Sequence, residues 1–417
     1  MADLLDRRRR VLGSASPLFY DRPLHLVRGE GVWLEDADGR RYLDVYNNVP
    51  HVGHCHPRVV AAMVGQAATL NIHTRYLHEN VVAYAERLTA TFDPPLDVAA
   101  LCCTGTEANE LAIRIARHAT GHQGLIVSDF SYHGHSATLA GVTTGLPAPE
   151  AMADYARAIR IPDARLGDDG AASLAALDEA IASLAAGGHG VAALLVDTLF
   201  STEGLVEPPE GWLAEATRRV RAAGGLLIAD EVQPGFGRTG DHMWGYQAHG
   251  LVPDFVTMGK PMGNGHPLAG VVTTAALLEA FGRDALYFNT FGGTPVSSAI
   301  GLAVLDVIAE ERLIENAREI GAYVQAGLAQ LVDRHSFASR ARGRGLFFGL
   351  DLVDPGDGTP APAEARRVIN RMREEGVLIS RIGPNDNILK MRPPMPFGRD
   401  HADILLDTLD RVLGETR

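Results

Sequence analysis

Lysine is scarce in this chain, and one lysine has the setting of a reactive amine. The sequence contains 38 Lys plus Arg residues, of which two, Lys260 and Lys390, are lysines. A surface charge works equally well as arginine, whereas an amine that must lose its proton and attack a carbonyl cannot be arginine. Lys260 lies in a glycine-rich stretch, residues 258–267, where small residues let a flat ligand approach the backbone. Its setting favours a Schiff-base lysine over a solvated loop lysine.

Asp230 is the second residue whose position indicates chemistry. It follows the apolar residues 226–229, so we expect it at the carboxyl end of a buried parallel strand, where open α/β sheets bind ligands. A carboxylate there can keep the ring nitrogen of a pyridine protonated, as an electron-accepting cofactor requires. Val232 points the same way and is placed to pack on a ring face, and Gln233 beside it is a hydrogen-bond donor. The alternative is an aspartate that only caps a turn.

The residues around these two side chains carry a family resemblance. Residues 228–240 and 256–260 resemble the signature of class III aminotransferases, the pyridoxal-phosphate enzymes that include ornithine and 4-aminobutyrate aminotransferases. The resemblance extends over most of the chain. It implies pyridoxal 5′-phosphate as cofactor, with Lys260 as the catalytic Schiff-base lysine and Asp230 at the ring nitrogen. It also implies an α/β fold of the fold type I class, with a large domain around a mostly parallel seven-stranded sheet and a smaller α+β domain.

Further cofactor-binding residues follow from the same resemblance. Gly105 and Thr106 open a helix, whose free N–H groups and positive dipole end suit a phosphate, and Thr106 is expected to be the helix N-cap. Tyr132 is expected over the pyridine ring with His133 beside it, and a core tyrosine is the alternative. Thr290 belongs to a motif whose threonine reaches the phosphate of the partner subunit. The resemblance therefore implies a homodimer with active sites at the subunit interface, and two dimers that pair into a tetramer stay open.

The arrangement of elements is expected to position these residues in two domains. Strands separated by helical segments across residues 60–300 predict a mostly parallel sheet covered by helices, although residues 145–190 offer few signals. Two short antiparallel strands are expected to join at Asp38-Gly39. One long helical pattern runs from Ser298 to about Leu331. We expect an N-terminal segment, residues 1–55, that joins the small domain, a large cofactor-binding domain, residues 56–300, and a C-terminal small domain, residues 301–417.

Composition restricts the class of protein. At 417 residues the chain is long enough for two domains, and its 46% hydrophobic and 21% charged residues are typical of a globular protein. The net charge of −13 argues against a nucleic-acid partner. No apolar run approaches a membrane span, and the 3 cysteines suit reduced thiols, so we expect a cytoplasmic protein without membrane attachment. Three histidines, His51, His54 and His56, lack a supporting ligand cluster, so no metal is expected.

One strand end departs from the family pattern. The family usually has Glu-Pro there and a gating glutamate five residues later. This chain has Asp197-Thr198 instead, with Thr202 at the gating position and Glu203 one residue further. Which of these side chains faces the site is left open by the sequence.

Arg392 decides the reaction that the sequence favours. It lies where class III aminotransferases carry the arginine that clamps a substrate carboxylate. It therefore favours transamination from an amino acid or other carboxylated amine to a 2-keto acid such as pyruvate or 2-oxoglutarate. Residues 46–57 and 258–267, however, resemble the ethanolamine-phosphate and hydroxylysine-phosphate phospholyases. The alternative is thus a phospholyase that expels phosphate and ammonia from a phosphorylated amine, for which Arg75 is a weak candidate phosphate ligand. The identities of donor and acceptor do not follow from the sequence.

Overall fold

A computed structural model describes residues 2–147 and 151–415. The helices are α1 Ala2–Leu12, α2 Pro57–Ala67, α3 Glu79–Thr89, α4 Gly105–Thr120, α5 Ala137–Ala140, α6 Ala171–Ala186, α7 Trp212–Ala222, α8 Ala275–Asp284, α9 Pro295–Glu310, α10 Leu313–Arg334, α11 Pro362–Glu374 and α12 Arg399–Gly414. The strands are β1 Leu26–Glu30, β2 Trp33–Asp36, β3 Arg41–Asp44, β4 Val98–Cys102, β5 Leu125–Ser128, β6 Ala156–Ile159, β7 Ala193–Asp197, β8 Leu226–Asp230, β9 Phe255–Met258, β10 Ala269–Thr273, β11 Ala338–Arg344, β12 Phe347–Leu352, β13 Val377–Leu378, β14 Ser380–Ile382 and β15 Ile388–Met391.

A seven-stranded sheet in the order β4-β10-β9-β8-β7-β5-β6 forms the centre of the molecule. Strands β5 to β9 run parallel to their neighbours, whereas β10 is antiparallel to both β4 and β9. The residues of β7 and β8 are apolar and almost entirely buried because helices cover both faces of the sheet. The predicted α/β fold with a mostly parallel seven-stranded sheet is confirmed.

Two smaller sheets, in the orders β1-β2-β3-β13 and β11-β12-β15-β14, lie outside the central one. The predicted antiparallel strands on either side of Asp38-Gly39 are present as β2 and β3. Strand β3 also pairs in parallel with β13, where Leu43 lies opposite Val377. The N-terminal strands therefore share a sheet with a C-terminal strand, as expected of an N-terminal segment that joins the small domain, while the boundaries at 55 and 300 stay predictions.

The long helix expected from Ser298 to about Leu331 is two helices. The first, α9, begins at Pro295 after its N-cap Thr294, and the second, α10, begins at Leu313. Arg312 between them has φ 52°, a left-handed conformation that an α-helix cannot continue through. The expectation of one continuous helix was therefore wrong.

Helix α9 is apolar on most sides and is buried against α2 and α3. Within residues 2–147 and 151–415, no helix combines the length and the hydrophobicity that crossing a membrane requires.

Candidate active site

The carboxyl ends of two neighbouring strands bring Lys260 and Asp230 together. Strand β8 ends at Asp230, which lies opposite Thr257 of β9, and Lys260 follows shortly after the end of β9. A cavity of about 160 Å³ opens at this edge of the sheet. Eight of the predicted site residues line it: Gly105, Thr106, Tyr132, His133, Asp230, Val232, Gln233 and Lys260. Asp197 lines it as well.

The amine of Lys260 has a lowered pKa. Burial, and then the positive charge of Arg392, lower its pKa from 10.5 to about 8, against the opposing effect of Asp230 and Asp197. A larger share of the amine is therefore neutral near pH 7 than for a solvated lysine.

Asp230 is held as a hydrogen-bond acceptor. His133 Nδ1 lies 2.8 Å from its Oδ2, and the backbone N–H of Val232 donates to its Oδ1 at 3.1 Å. Because an ionised carboxylate only accepts, the proton of the imidazole is on Nδ1. The side chain of His133 is fully buried, and its Nε2 has no partner among the described residues. These contacts hold the carboxylate of Asp230 at the carboxyl end of β8, where the residue lines the cavity.

A helix terminus provides the anion-binding corner of the cavity. Helix α4 begins at Gly105, and its N-cap is Thr104, whose hydroxyl accepts from the N–H of Glu107 in a capping box. The expectation that Thr106 caps the helix was wrong. Thr106 instead lies in the first turn, with its hydroxyl 3.2 Å from Nδ1 of His135. The N–H groups of Gly105 and Thr106 have no acceptor within the helix and are available to an anion.

Tyr132 and Gln233 line the cavity, the first exposed and the second half-buried. Tyr132 is 39% exposed, so it is not the core tyrosine that was the alternative. The side-chain carbonyl of Gln233 accepts from Asn48 Nδ2 at 2.7 Å and from Arg392 Nη1. Its NH₂ group is left as a donor, in agreement with the role expected of this residue.

Arg392 lies beside the cavity together with Lys390, which sequence analysis did not place in the site. The two residues alternate along β15 and its extension, so their side chains project from the same face. Both are buried, with exposures of 6% for Arg392 and 5% for Lys390. Arg392 donates through Nε to the carbonyl of Tyr46 at 3.0 Å and through Nη1 to Gln233, and its guanidinium lies 4.8 Å from the centroid of the Tyr46 ring.

The amine of Lys390 has no hydrogen-bonding or ion-pair partner in residues 2–147 and 151–415. It lies 5.6 Å from the centroid of the Phe347 ring. Burial, followed by the charges of Arg392 and Lys260, lowers its pKa well below the ordinary value. An unpaired buried amine is costly, and a buried group with a strongly shifted pKa is typical of a functional site. The scarcity of lysine was the sequence signal for this residue.

The structure gives the positions of the side chains at and after the end of β7, where the sequence departs from the family pattern. Asp197 accepts from the N–H of Leu199 and from the hydroxyl and N–H of Ser201. The carboxylate of Glu203 accepts from the hydroxyl of Ser128 and does not line the cavity. Thr202 packs its methyl group near Gly145, where a Cβ would lie 2.7 Å from it. Of the candidates at this strand end, Asp197 is therefore the one that faces the cavity.

Glu203 allows a pH prediction. Burial, and then Asp197, raise its pKa from 4.5 to about 8. A carboxyl with a raised pKa stabilises the fold fully below about 4.5, and this stabilisation is lost as the pH rises through about 8. We expect the melting temperature to fall between about pH 5 and about pH 9, and to fall less in Glu203→Gln, which does not ionise. Thermal unfolding of both proteins across this range measures the difference, and equal declines would assign the effect to other groups.

Thr290 and Arg75 lie outside the cavity of their own chain. Thr290 is exposed just before α9, next to Phe288 and Phe291, which are 41% and 72% exposed. The guanidinium of Arg75 lies 4.1 Å from the centroid of the Phe288 ring, and Leu77 nearby is 99% exposed. These residues share an exposed apolar surface, and the structure does not bring them to Lys260.

The three histidines of the N-terminal segment each contact a different partner. His51 contacts the carbonyl of Phe236 at 2.8 Å, His54 contacts Asp44 at 2.7 Å and His56 contacts Glu311 at 3.0 Å. In the part of the chain that the structure describes, no cluster of side chains has the arrangement of a metal site.

Comparison with known proteins shows the family to which this chain belongs. Residues 19–413 match the family model described as Aminotransferase class-III, and the chain belongs to this family. A solved structure of a phospholyase from Arthrobacter, in complex with phosphoethanolamine, is 54% identical with a TM-score of 0.97, and covers 100% of both chains. A Drosophila melanogaster protein named alanine–glyoxylate aminotransferase 2-like is 42% identical over 96% of this chain and 84% of its own. A Caenorhabditis elegans protein named ethanolamine-phosphate phospho-lyase homolog 1 is 36% identical over 99% of this chain and 93% of its own. The resemblance noted in the sequence, including that to the phospholyase branch, is confirmed.

The residues of the cavity fit pyridoxal phosphate, the cofactor that family membership implies. A phosphate would meet the free N–H groups at the start of α4. A Cβ on Gly105 would lie 2.9 Å from Cγ2 of Val232, so this wall of the cavity requires glycine. The carboxylate of Asp230 suits a pyridinium nitrogen, and the buried amine of Lys260 suits an aldehyde. One cavity therefore contains an amine, a carboxylate and an anion-binding helix terminus, the three kinds of group that pyridoxal phosphate would need.

Proposed function

We propose that this protein is a pyridoxal-phosphate-dependent phospholyase, which eliminates phosphate from a small phosphorylated amine such as ethanolamine phosphate. The observation that carries the proposal is the pair of buried cations, Lys390 and Arg392, beside the candidate catalytic lysine. The 54% identity to a phospholyase that binds phosphoethanolamine supports it independently.

The charge of the pair suits a phosphate better than a carboxylate. A phosphate monoester carries a charge of about −1.5 to −2 near pH 7 and offers three acceptor oxygens. Lys390 Nζ makes no hydrogen bond with the described residues, and a phosphate bound beside it would favour its charged form. Arg392 keeps the donors that Tyr46 and Gln233 do not use. Two of the three guanidinium nitrogens of Arg392 already donate within the protein, so less of its fork is left for a bidentate carboxylate. This weakens the sequence argument for transamination.

In the proposed reaction the residues of the chain move protons and bind charge. When bound, pyridoxal phosphate supplies an aldehyde that captures the substrate amine and a ring that accepts electrons. Asp230 would keep the ring nitrogen protonated, and Tyr132 and Val232 would hold the ring. Lys260 Nζ removes a proton from the carbon that bears the amine. The C–O bond to phosphate then breaks, and its electron pair leaves with the phosphate. Lys260 would displace the resulting enamine from the cofactor and return the proton to its terminal carbon, and water then converts the imine that forms into an aldehyde and ammonia.

Transamination is the second candidate. The Drosophila relative is named as an aminotransferase, and Arg392 is still a cation that a substrate carboxylate could approach at the cavity. In this reaction Lys260 would return the proton to the cofactor, and a 2-keto acid such as pyruvate or 2-oxoglutarate would accept the amino group. The two reactions differ in whether phosphate leaves and whether an acceptor is required.

The active form is proposed to be a cytoplasmic homodimer. The exposed apolar surface around Thr290, Phe288 and Leu77 is larger than scattered exposed residues require. If a second subunit covers it, Thr290 would reach the cofactor phosphate of the partner, and Arg75 would approach the partner's substrate. The three cysteines are free thiols, as suits a reducing compartment.

Product analysis distinguishes the two reactions. We expect the protein, reconstituted with pyridoxal phosphate, to release phosphate and ammonia in equal amounts from ethanolamine phosphate over many turnovers without a keto acid. Ethanolamine without phosphate is the substrate control, and Lys260→Ala is the enzyme control. An enzyme that stops after one turnover per site, releases no phosphate and resumes when pyruvate or 2-oxoglutarate is added would instead be an aminotransferase.

A further inference from the structure

A buried amide, Asn109, contacts both residues that face the ring-nitrogen end of the proposed cofactor. Its Nδ2 donates to Oδ2 of Asp230 at 2.9 Å and to the backbone carbonyl of His133 at 2.8 Å. Asn109 is 1% exposed, so these bonds do not compete with bulk water. The residue lies in the second turn of α4, the helix whose first turn forms the anion-binding corner.

The orientation of this amide is fixed. Thr257 Oγ1 donates to Oδ1 of Asn109 at 2.6 Å. Rotating the amide by half a turn would place its carbonyl oxygen against Asp230 and against the carbonyl of His133, which are both acceptors. Thr257 is fully buried and lies opposite Asp230 on the adjacent strand. Helix α4 and strands β8 and β9 therefore hold one another in register through this contact.

The contacts divide the two oxygens of Asp230 into different roles. Oδ2 accepts from His133 Nδ1 and from Asn109, and two donors fill the in-plane lone pairs of a carboxylate oxygen. Among the described residues, Oδ1 accepts a hydrogen bond only from the N–H of Val232. Oδ1 is thus the oxygen with acceptor capacity left for a ligand.

We propose that Asn109, oriented by Thr257, is a positioning residue that directs Oδ1 of Asp230 to the protonated ring nitrogen. By filling the second lone pair of Oδ2, the amide prevents the carboxylate from rotating and offering the wrong oxygen. Its Nδ2 donors and its Oδ1 are all engaged by protein groups, so it acts through Asp230. The inference rests on the pyridoxal phosphate of the proposed function.

The test measures cofactor binding and protonation as well as activity. Apoenzyme of the wild type and of Asn109→Ala is titrated with pyridoxal phosphate, and the absorbance of each reconstituted enzyme is followed against pH. We expect Asn109→Ala to bind the cofactor about tenfold more weakly, to change colour at a shifted pH, and to lose kcat with KM retained. Asn109→Asp is expected to shift the pH profile further, because a second carboxylate next to Asp230 adds a like charge.

Thr257→Val keeps Asn109 but removes the hydroxyl that orients it, so it should show the same changes in smaller measure even if Asn109→Ala folds poorly. Thr217→Val is the matched control, because Thr217 is also buried and donates to a backbone carbonyl, that of Leu213 in its own helix. It should leave binding and pH profile unchanged.

The positioning role would be overturned if wild type, Asn109→Ala and Thr257→Val had equal cofactor affinity and equal pH profiles. A loss of thermal stability without any other change would overturn it as well. Failure of the wild type itself to bind pyridoxal phosphate would overturn the proposed function and this inference with it. The two failures are therefore distinct.

Discussion

Replacing Lys260 with arginine is expected to lower phosphate release from ethanolamine phosphate by about 10⁴-fold, the upper end of what a positioned proton-transfer group contributes. The substitution keeps the positive charge next to Asp230 and Asp197 but removes the ability to become neutral, because a guanidinium does not lose its proton in this range. This chain uses arginine for 36 of its positive side chains, since 38 Lys plus Arg less two lysines leaves 36. Arginine is therefore well tolerated elsewhere, and the prediction isolates the chemistry of the amine from its charge.

Lys260→Ala provides the matched variant. It leaves a space in which a small added amine can act as base, so methylamine should restore part of its activity. The same amine should not rescue Lys260→Arg, whose side chain fills that space. Phosphate release with and without methylamine is the measurement. Activity of Lys260→Arg within tenfold of wild type would show that another group transfers the proton, and the proposed mechanism would fail.

Local patterns in the sequence were sufficient to predict the centre of the site. Asp230 ends one short, mostly apolar strand and Lys260 lies two residues after the end of the next, and neighbouring parallel strands place their carboxyl ends together. The correct helix N-cap was also available, because Thr104 and Glu107 have the spacing of a capping box, whereas Thr106 lacks that partner. These features depend on residues only a few positions apart.

Features that depend on distant contacts were not predictable in this way. Asn109 and Asp230 are 121 residues apart in the sequence, so the motif around Asp230 gives no indication of their contact. The helix break between α9 and α10 falls at Arg312, which adopts a left-handed conformation that arginine does not favour. No glycine or proline at this position indicates the break in the sequence. Strand β6 lies at the edge of the central sheet, in a region without a clear pattern. In each case tertiary packing decides what local propensity leaves open.

Replacing Lys390 with methionine is expected to weaken catalysis and stabilise the protein at once. Methionine keeps the apolar stem against Phe347 and removes an amine that makes no hydrogen bond or ion pair with the described residues. Burial and the neighbouring charges of Arg392 and Lys260 oppose ionisation of this amine, so replacing the unpaired polar group with an apolar one should raise the melting temperature. If Lys390 binds the substrate phosphate, the loss of a charged hydrogen bond worth about 1.5–3 kcal/mol lowers kcat/KM for ethanolamine phosphate by about 10- to 150-fold, mostly through KM.

The opposite signs of these two effects make the prediction decisive. A lysine that only supports the fold would lower the melting temperature when replaced and leave KM unchanged, whereas a phosphate ligand does the reverse. Lys390→Arg is the control for charge, because it restores a cation at the same position of β15 and should recover part of the affinity. Competition by inorganic phosphate offers a second measurement, since wild type should be inhibited at lower phosphate concentration than Lys390→Met. Equal inhibition of the two proteins would exclude Lys390 from the phosphate site and leave that role to Arg392, the buried cation two residues further along the chain.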